Sequence, residues 1–314
     1  MKLVYPDFYR RFKCIGSKCV HNCCIGWEID IDDDTYKKYR SADNRLTERF
    51  KSCISCEDET HFILDENERC PFLNRDNLCD IILEMGEDSL CQICTDHPRF
   101  RNFFGDRTEI GLGLCCEEAV RLLLETDKPL SFIESESDGK TSPLSGTEKW
   151  ILEKRGELIS ILQNRTKPIS TRAREMLRSC ETSPEIFPPQ KLAEIYLPLE
   201  RLDNNWTLLL RRLESASFDE ALLRSVLSQR EYEYEHFIVY WLFRHFSEVN
   251  CSEDIAPAVR LAYLSFIMIS SLDALYFSEN GATPRKQRAE HIRMYSSEIE
   301  YSQENLEALY SYLY

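Results

Sequence analysis

Glycine is scarce, with ten in 314 residues, and no G-x-G-x-x-G follows a strand-like run. The nearest approach is Gly111-Leu112-Gly113, which leads straight into Cys115-Cys116. A doubly wound, Rossmann-type nucleotide domain needs that glycine turn for close backbone approach to its ligand, so this fold is not expected. Met1 to Arg11 is polar and aromatic and lacks the apolar h-region of a secretory signal, which points to the cytoplasm. From Leu261 to Leu272 there are twelve residues without a charge. That is short of the roughly 18 that read as a bilayer span, so a buried core helix is expected there and no membrane association. Positive charge is also in deficit. Lys and Arg number 39 against 54 Asp and Glu, a formal net charge of −15. Such a surface repels phosphates and anionic lipid, which excludes nucleic acid as a general partner and suits a cationic, lysine-bearing one. No internal repeat is present.

Cysteine is abundant and lopsided. Of fourteen, twelve fall within the first 116 residues. The run Cys14-x4-Cys19-x3-Cys23-Cys24 is followed by Cys70-Pro71-Phe72-Leu73, Leu78-Cys79-Asp80-Ile81, Cys91-x-x-Cys94 and Cys115-Cys116. In a reducing compartment such spacings read as metal or redox chemistry more readily than as disulfides, and adjacent cysteines are poorly placed to bridge each other. Thiolates are soft donors, and an uneven run closed by remote cysteines suits an iron–sulfur cluster. The first run is not the C-x3-C-x2-C triad of radical adenosylmethionine enzymes, because Cys24 directly follows Cys23. Zinc is the alternative, with Cys53-x-x-Cys56 and Cys91-x-x-Cys94 supplying two knuckles. The first candidate ligands are Cys14, Cys19, Cys23 and Cys24, then Cys70, Cys79, Cys94 and Cys115. Cys53, Cys56, Cys91 and Cys116 rank behind them, and Cys180 and Cys251 read as packing residues. His21 reads first as a solvated loop residue. His97-Pro98-Arg99 could set a guanidinium beside a thiolate-bound cluster or simply end a helix.

The segments Phe12-Lys13-Cys14, Cys23-Cys24-Ile25-Gly26-Trp27, Ile29-Asp30-Ile31-Asp32, Cys70-Pro71-Phe72-Leu73 and Cys94-Thr95-Asp96-His97-Pro98-Arg99 carry a resemblance. So do Leu112-Gly113-Leu114-Cys115, Phe243-Arg244-His245-Phe246 and Ser297-Glu298-Ile299-Glu300. Together they resemble the flagellin lysine-N-methylase (FliB-like) family across most of the chain. The resemblance implies S-adenosylmethionine-dependent N-methylation of flagellin lysines and one four-iron–four-sulfur cluster. It leaves open which four cysteines bind that cluster. A non-catalytic metal-binding or redox-sensing protein is the rival reading, and a zinc-stabilised adaptor a third.

Lysine methylation sets its own demands. A protonated amine is no nucleophile, so a carboxylate or phenol must take its proton or the site must desolvate it. Tyr295, Glu298 and Tyr301, three residues apart, would share one face of a tail helix. They are the candidate catalytic residues, with Arg244-His245, Asp30, Asp32 and Asp96 behind them.

The fold expected is mainly α. Residues 1–127 form a cysteine-rich metal- or cluster-binding module with few short strands, such as Glu28 to Ile31 and His61 to Leu64. Residues 128–147, rich in Ser, Pro and Gly, read as a linker, and 148–314 as a helical domain. Within that domain Leu192, Ile195, Leu199, Leu202, Trp206, Leu209 and Leu213 form one stripe of an amphipathic helix kinked at Pro198. Phe237 to Phe246 and Ile255 to Phe277 are apolar nearly all round. Lys286 to Tyr301 and Gln303 to Tyr312 close the chain as helices.

Overall fold

The computed structural model describes residues 1–136 and 142–314. It divides into two compact units, Lys13–Phe100 and Met1–Phe12 together with Arg101–Tyr314.

The unit Lys13–Phe100 is built on short helices, Asp33–Arg40, Thr47–Ser52, Asp80–Met85 and Gln92–Asp96. Apart from the first two residues of strand Arg99–Phe104, its only strands among the described residues are the two-residue pair Ile54–Ser55 and His61–Phe62. Glu28 to Ile31 contributes a single bridge, Asp30 to His61, and no strand. With so little regular structure, side chains supply the order. Asp32 caps the first helix by accepting from the Thr35 N–H at 3.0 Å, while its other oxygen accepts from the Gln92 N–H at 2.8 Å. Tyr39, Phe50, Phe62 and Phe72 stack through neighbouring centroids 4.3 to 6.0 Å apart and form the apolar centre.

The other unit is mainly helical and carries one four-stranded sheet. Its order is Arg99–Phe104, Arg107–Leu112, Lys2–Pro6, Phe132–Glu136. Lys2–Pro6 runs parallel to Arg107–Leu112 and antiparallel to Phe132–Glu136. Unit boundaries therefore fall elsewhere than at 127 and 148. Met1–Phe12 and Arg101 onward belong with the helices. The expected linker 128–147 contains a strand and the capped start of helix Gly146–Leu162, and 137–141 lie outside the described residues. Gly105, at φ 38°, makes the turn between two strands, where a Cβ would come within 2.9 Å of the Pro143 and Leu144 backbone.

The expected helix from Leu192 to Leu213 is two helices, Pro189–Tyr196 and Asn204–Glu214. Pro198 lacks the N–H that a continuing helix needs, and Asp203 caps the second helix through the Asn205 N–H at 2.8 Å. Ile255–Asn280 is the core helix. By length and hydropathy it could cross a membrane, but its most apolar window is 83% buried inside the protein. Around it pack the helices Glu231–His245, Arg285–Tyr295 and Gln303–Leu313. The expected helix Lys286 to Tyr301 changes character part-way, because Ser296–Glu300 is a π-helical turn.

Candidate functional site

Among the described residues, two groups of chemistry-bearing side chains include expected site residues, one in each unit. In Lys13–Phe100, Cys70 and Cys91 are part of the buried core, and Cys24, Cys53, Cys79 and Cys94 pack against it. The thiols are close enough to act on one another electrostatically. Cys24 is affected by Cys23, Cys70 and Cys79, and Cys94 by Cys91, Cys24 and Cys70. Two pairs are hydrogen-bonded. The bond from Cys24, then one from His97, lowers the Cys23 thiol, whereas Cys24 is raised. In the same way the bond from Cys94 lowers Cys91 while Cys94 is raised. Burial lifts Cys70 to about 12 and also raises Cys79.

These donors suit a thiophilic metal in kind, being soft, close together and sheltered. Their arrangement does not complete a site. Among the described residues no group of three or more His, Cys, Asp or Glu side chains has the geometry to hold a metal ion.

The eight first-choice ligands are thus sorted by position. Cys23, Cys24, Cys70, Cys79 and Cys94 lie in the group just described. Cys14 is exposed, and Cys19 Sγ donates to the carbonyl of exposed His21 at 3.3 Å. Cys115 lies in the other unit. Cys91, ranked behind them, is fully buried among the grouped thiols. Its Cys-x-x-Cys spacing to Cys94 was the signal for it. Cys56 Sγ reaches the Tyr36 hydroxyl, Cys180 follows helix Ile169–Arg178, and Cys251 begins a short 3-10 turn. Of the reserve carboxylates, Asp30 bridges to His61, Asp32 is the helix cap, and Asp96 accepts from the Gln92 amide. Arg99 Nη1 donates to the Thr95 carbonyl at 2.9 Å.

The second collection centres on Glu300. Its Oε2 accepts from the Tyr240 hydroxyl at 2.8 Å and bonds His245 Nε2 at 2.9 Å, with Arg244 Nη1 at 3.2 Å. Arg244 Nη1 also donates to the Tyr240 oxygen at 2.8 Å. Burial alone would raise Glu300, but the Arg244 charge and the His245 bond pull it down to about 2. Tyr240 is raised well above the ordinary phenol range by burial. The Arg244 guanidinium lies over the Tyr301 ring, 4.8 Å from its centroid. Tyr301 and the Cys115 thiol share a hydrogen bond, and burial lifts Cys115 to about 12. Gly113 closes this side, since a Cβ there would stand 2.0 Å from the Tyr301 hydroxyl oxygen.

The three predicted catalytic side chains are not on one face. Tyr295 is buried, its hydroxyl 3.0 Å from that of Tyr196 and 2.8 Å from that of Ser265. Glu298 accepts from the backbone N–H groups of Leu202 at 2.9 Å and Asp203 at 2.8 Å, at the start of helix Asn204–Glu214. Burial raises Glu298 despite those bonds. Tyr301 alone reaches the Glu300 group, with Arg244 and His245. Sequence reasoning passed over Glu300 and Tyr240, although Arg244-His245 in an apolar run signalled that a buried anion must stand nearby. Fixed as an anion, Glu300 is too acidic for an efficient proton acceptor near neutral pH. What it can do is hold Arg244, His245 and Tyr240 in place and balance positive charge.

Residues 189–314 match the family model of the FliB lysine N-methylase C-terminal domain. The chain is 27% identical over 146 residues to flagellar biosynthetic protein FliU of Salmonella muenchen, covering 44% of this chain and 86% of that protein. It is 26% identical over 157 residues to a lysine-N-methylase of Salmonella typhimurium and 26% over 164 residues to one of Salmonella choleraesuis. Each of these last two matches covers 47% of this chain and 39% of the lysine-N-methylase. No solved structure matches the chain.

Proposed function

We propose that this protein, whose residues 189–314 belong to the FliB lysine N-methylase C-terminal domain family, is a protein-lysine N-methyltransferase acting on flagellin in the cytoplasm. That family match carries the reading, and it covers the stretch that builds the Arg244–Glu300 group. The flagellar relative supports flagellin as the acceptor, and the two lysine-N-methylases support the reaction. S-adenosylmethionine is the proposed donor, supplying a methyl group on a cationic sulfonium. The amine nitrogen would bond to that methyl carbon as the carbon–sulfur bond breaks, a thioether would leave, and the extra amine proton would pass to solvent.

The chain's own part is electrostatic. Glu300 stays ionised and pins Arg244 and Tyr240 through direct bonds. Because Glu300 balances the Arg244 charge, the group would favour a neutral nucleophile by desolvating an amine brought beside Tyr301, not through a net positive field. An iron–sulfur cluster, with zinc as the alternative, is proposed from the soft donor set of Cys24, Cys70, Cys79, Cys91 and Cys94, whose arrangement here does not complete a site.

The test is anaerobic purification, iron and zinc analysis, and incubation with flagellin and methyl-labelled donor. Label on flagellin lysines is expected, with protein-bound iron and broad absorption near ~400 nm from iron–thiolate bonding. Absence of label on any lysine would sink the enzymatic reading. Zinc without iron would replace the cluster and leave the transfer assay to judge the rest.

A further inference from the structure

His236, on helix Glu231–His245, is fully buried and has a carbonyl oxygen against each of its ring nitrogens. Nδ1 lies 2.8 Å from the Leu123 oxygen and Nε2 lies 2.9 Å from the Lys128 oxygen. A carbonyl only accepts, so making both bonds takes a proton on both nitrogens. A neutral imidazole has a single N–H and makes just one of them. The Leu123 carbonyl belongs to the last turn of helix Glu117–Leu124, where carbonyls lack helical partners and the helix dipole favours a cation. Other side chains tie down the same stretch of chain. Gln163 donates to the Leu130 carbonyl at 2.8 Å, and Arg165 donates to that of Asp127.

Among the described residues no carboxylate bonds to His236, and the charged groups on the elements around it are committed to one another. On its own helix Glu235 holds Arg165 and Arg172, and Glu231 holds Arg172. Beyond helix Glu117–Leu124, Glu125 pairs with Arg11 and Arg121, and the side chains of Asp127 and Lys128 are exposed. Arg155, on helix Gly146–Leu162, pairs with Glu109. On helix Arg285–Tyr295, Arg285 and Arg288 pair with Glu233, and His291 pairs with Asp273 of the core helix. Tyr232, one turn before His236, meets the imidazole edge-on with ring centroids 5.6 Å apart. Backbone carbonyl dipoles therefore answer the imidazole, and no counter-ion fixes its proton. We propose that His236 is a pH-operated clamp, which as an imidazolium fastens both Leu123 and Lys128 to helix Glu231–His245 and on deprotonation lets Lys128 go. The Lys128 bond is the one to open because it is only part-buried, so water reaches it and takes the Nε2 proton, whereas the Leu123 bond is buried. Helix Glu117–Leu124 starts directly after Cys115-Cys116, and Tyr240 lies one turn beyond His236. The clamp thus joins two of the segments that supply the Glu300 group, and it stands apart from the methyl-transfer reading.

The experiment follows the full chain, with its histidines labelled in nitrogen-15, by NMR from about pH 5.5 to about pH 9. The His236 signals are those missing from His236→Gln, and their shifts report whether each ring nitrogen carries a proton. Hydrogen exchange of residues 121–131, corrected for the intrinsic effect of pH, is measured over the same range. At the acid end both His236 nitrogens should be protonated. As pH rises one should lose its proton, and protection of residues 121–131 should fall in step by about 10-fold, the order set by one hydrogen bond from a charged donor. His236→Gln, which has no proton to lose, should show low protection at every pH. A His236 with one bare nitrogen at the acid end would overturn the clamp, and one that stays doubly protonated to pH 9 would overturn the switch. Protection that ignores the titration, or that follows pH equally in His236→Gln, would overturn it too. Should His236→Gln fail to fold, the signals are assigned through the neighbouring backbone, and the wild-type shifts and exchange decide alone.

Discussion

Replacing Glu300 by Gln keeps its shape and removes the one anion at the centre of the Arg244, His245 and Tyr240 group. The cost can be reached by two routes. From the protonation side, the carboxyl falls from an ordinary 4.5 to about 2 on folding. At 1.36 kcal/mol per unit that is about 3 kcal/mol of stability, present above pH 4.5. From the structural side, removing one partner of a buried ion pair costs about 3–5 kcal/mol, because Arg244 keeps its charge without the anion. The routes agree at about 3 kcal/mol. The sign also fixes the pH window. A depressed carboxyl stabilises once ionised, so wild type should lose this contribution as pH falls from about 4.5 to about 2, while Glu300→Gln should lack that part of the acid limb. Urea unfolding followed by tryptophan fluorescence reads it, since Trp206 and Trp241 are buried in the same unit. Equal stability at pH 7, or a Glu300→Gln acid limb as steep as wild type, would refute the electrostatic account of this group.

Three further outcomes are expected. Glu298→Gln should cost about 1–3 kcal/mol, because its amide nitrogen cannot accept from the Leu202 and Asp203 N–H groups, yet the methylation rate per folded molecule should hold. A rate loss of ~10²-fold with stability intact would instead restore Glu298 as the base. Asp273→Asn breaks bonds to His291 at 2.7 Å and Tyr234 at 2.6 Å and leaves buried Arg288 short of an anion, so thermal unfolding should show a loss of about 3–5 kcal/mol. Cys91→Ser should increase proteolysis of residues 13–100, whereas Cys14→Ser should leave it unchanged, since Cys91 is buried in the core and Cys14 is exposed. Equal digestion of the two would show that the buried thiols do not hold this unit.

Local pattern made some of this legible. Ile255 to Phe277 is apolar nearly all round, which suits a surrounded helix, and the core helix runs Ile255–Asn280. The stripe from Leu192 to Leu213 misled because its three- and four-residue steps continue through a proline. Leu202, midway along it, is 58% exposed, so those positions never formed a single face. Strand Lys2–Pro6 pairs with Arg107–Leu112 and Phe132–Glu136, more than a hundred residues away, and no nearby residue encodes such pairing. Among cysteines, motif membership ranks Cys14 and Cys19 ahead of Cys91, while the fold buries Cys91 and leaves Cys14 exposed. Burial depends on which side chains distant in sequence the loops bring around each thiol, and spacing does not encode that.

The tail segment shows how one change of helical period redistributes chemistry. Tyr295, Glu298 and Tyr301 were placed on one face by assuming that α-helical spacing continued to Tyr301. The Ser296–Glu300 turn is instead wound as a π-helix, with bonds that skip one residue further. Within it Glu298 turns to the backbone at the start of helix Asn204–Glu214, and Glu300, two residues on, turns to the helix Glu231–His245. Two carboxylates close in sequence thereby take opposite electrostatic fates. Burial prevails at Glu298, which is raised despite two N–H bonds, whereas at Glu300 the raising effect of burial is outweighed by the Arg244 charge and the His245 bond together, which lower it to about 2. Side chains alone would have suggested interchangeable acids. Backbone winding decides which one meets Arg244, and so which one remains an anion at the centre of the group.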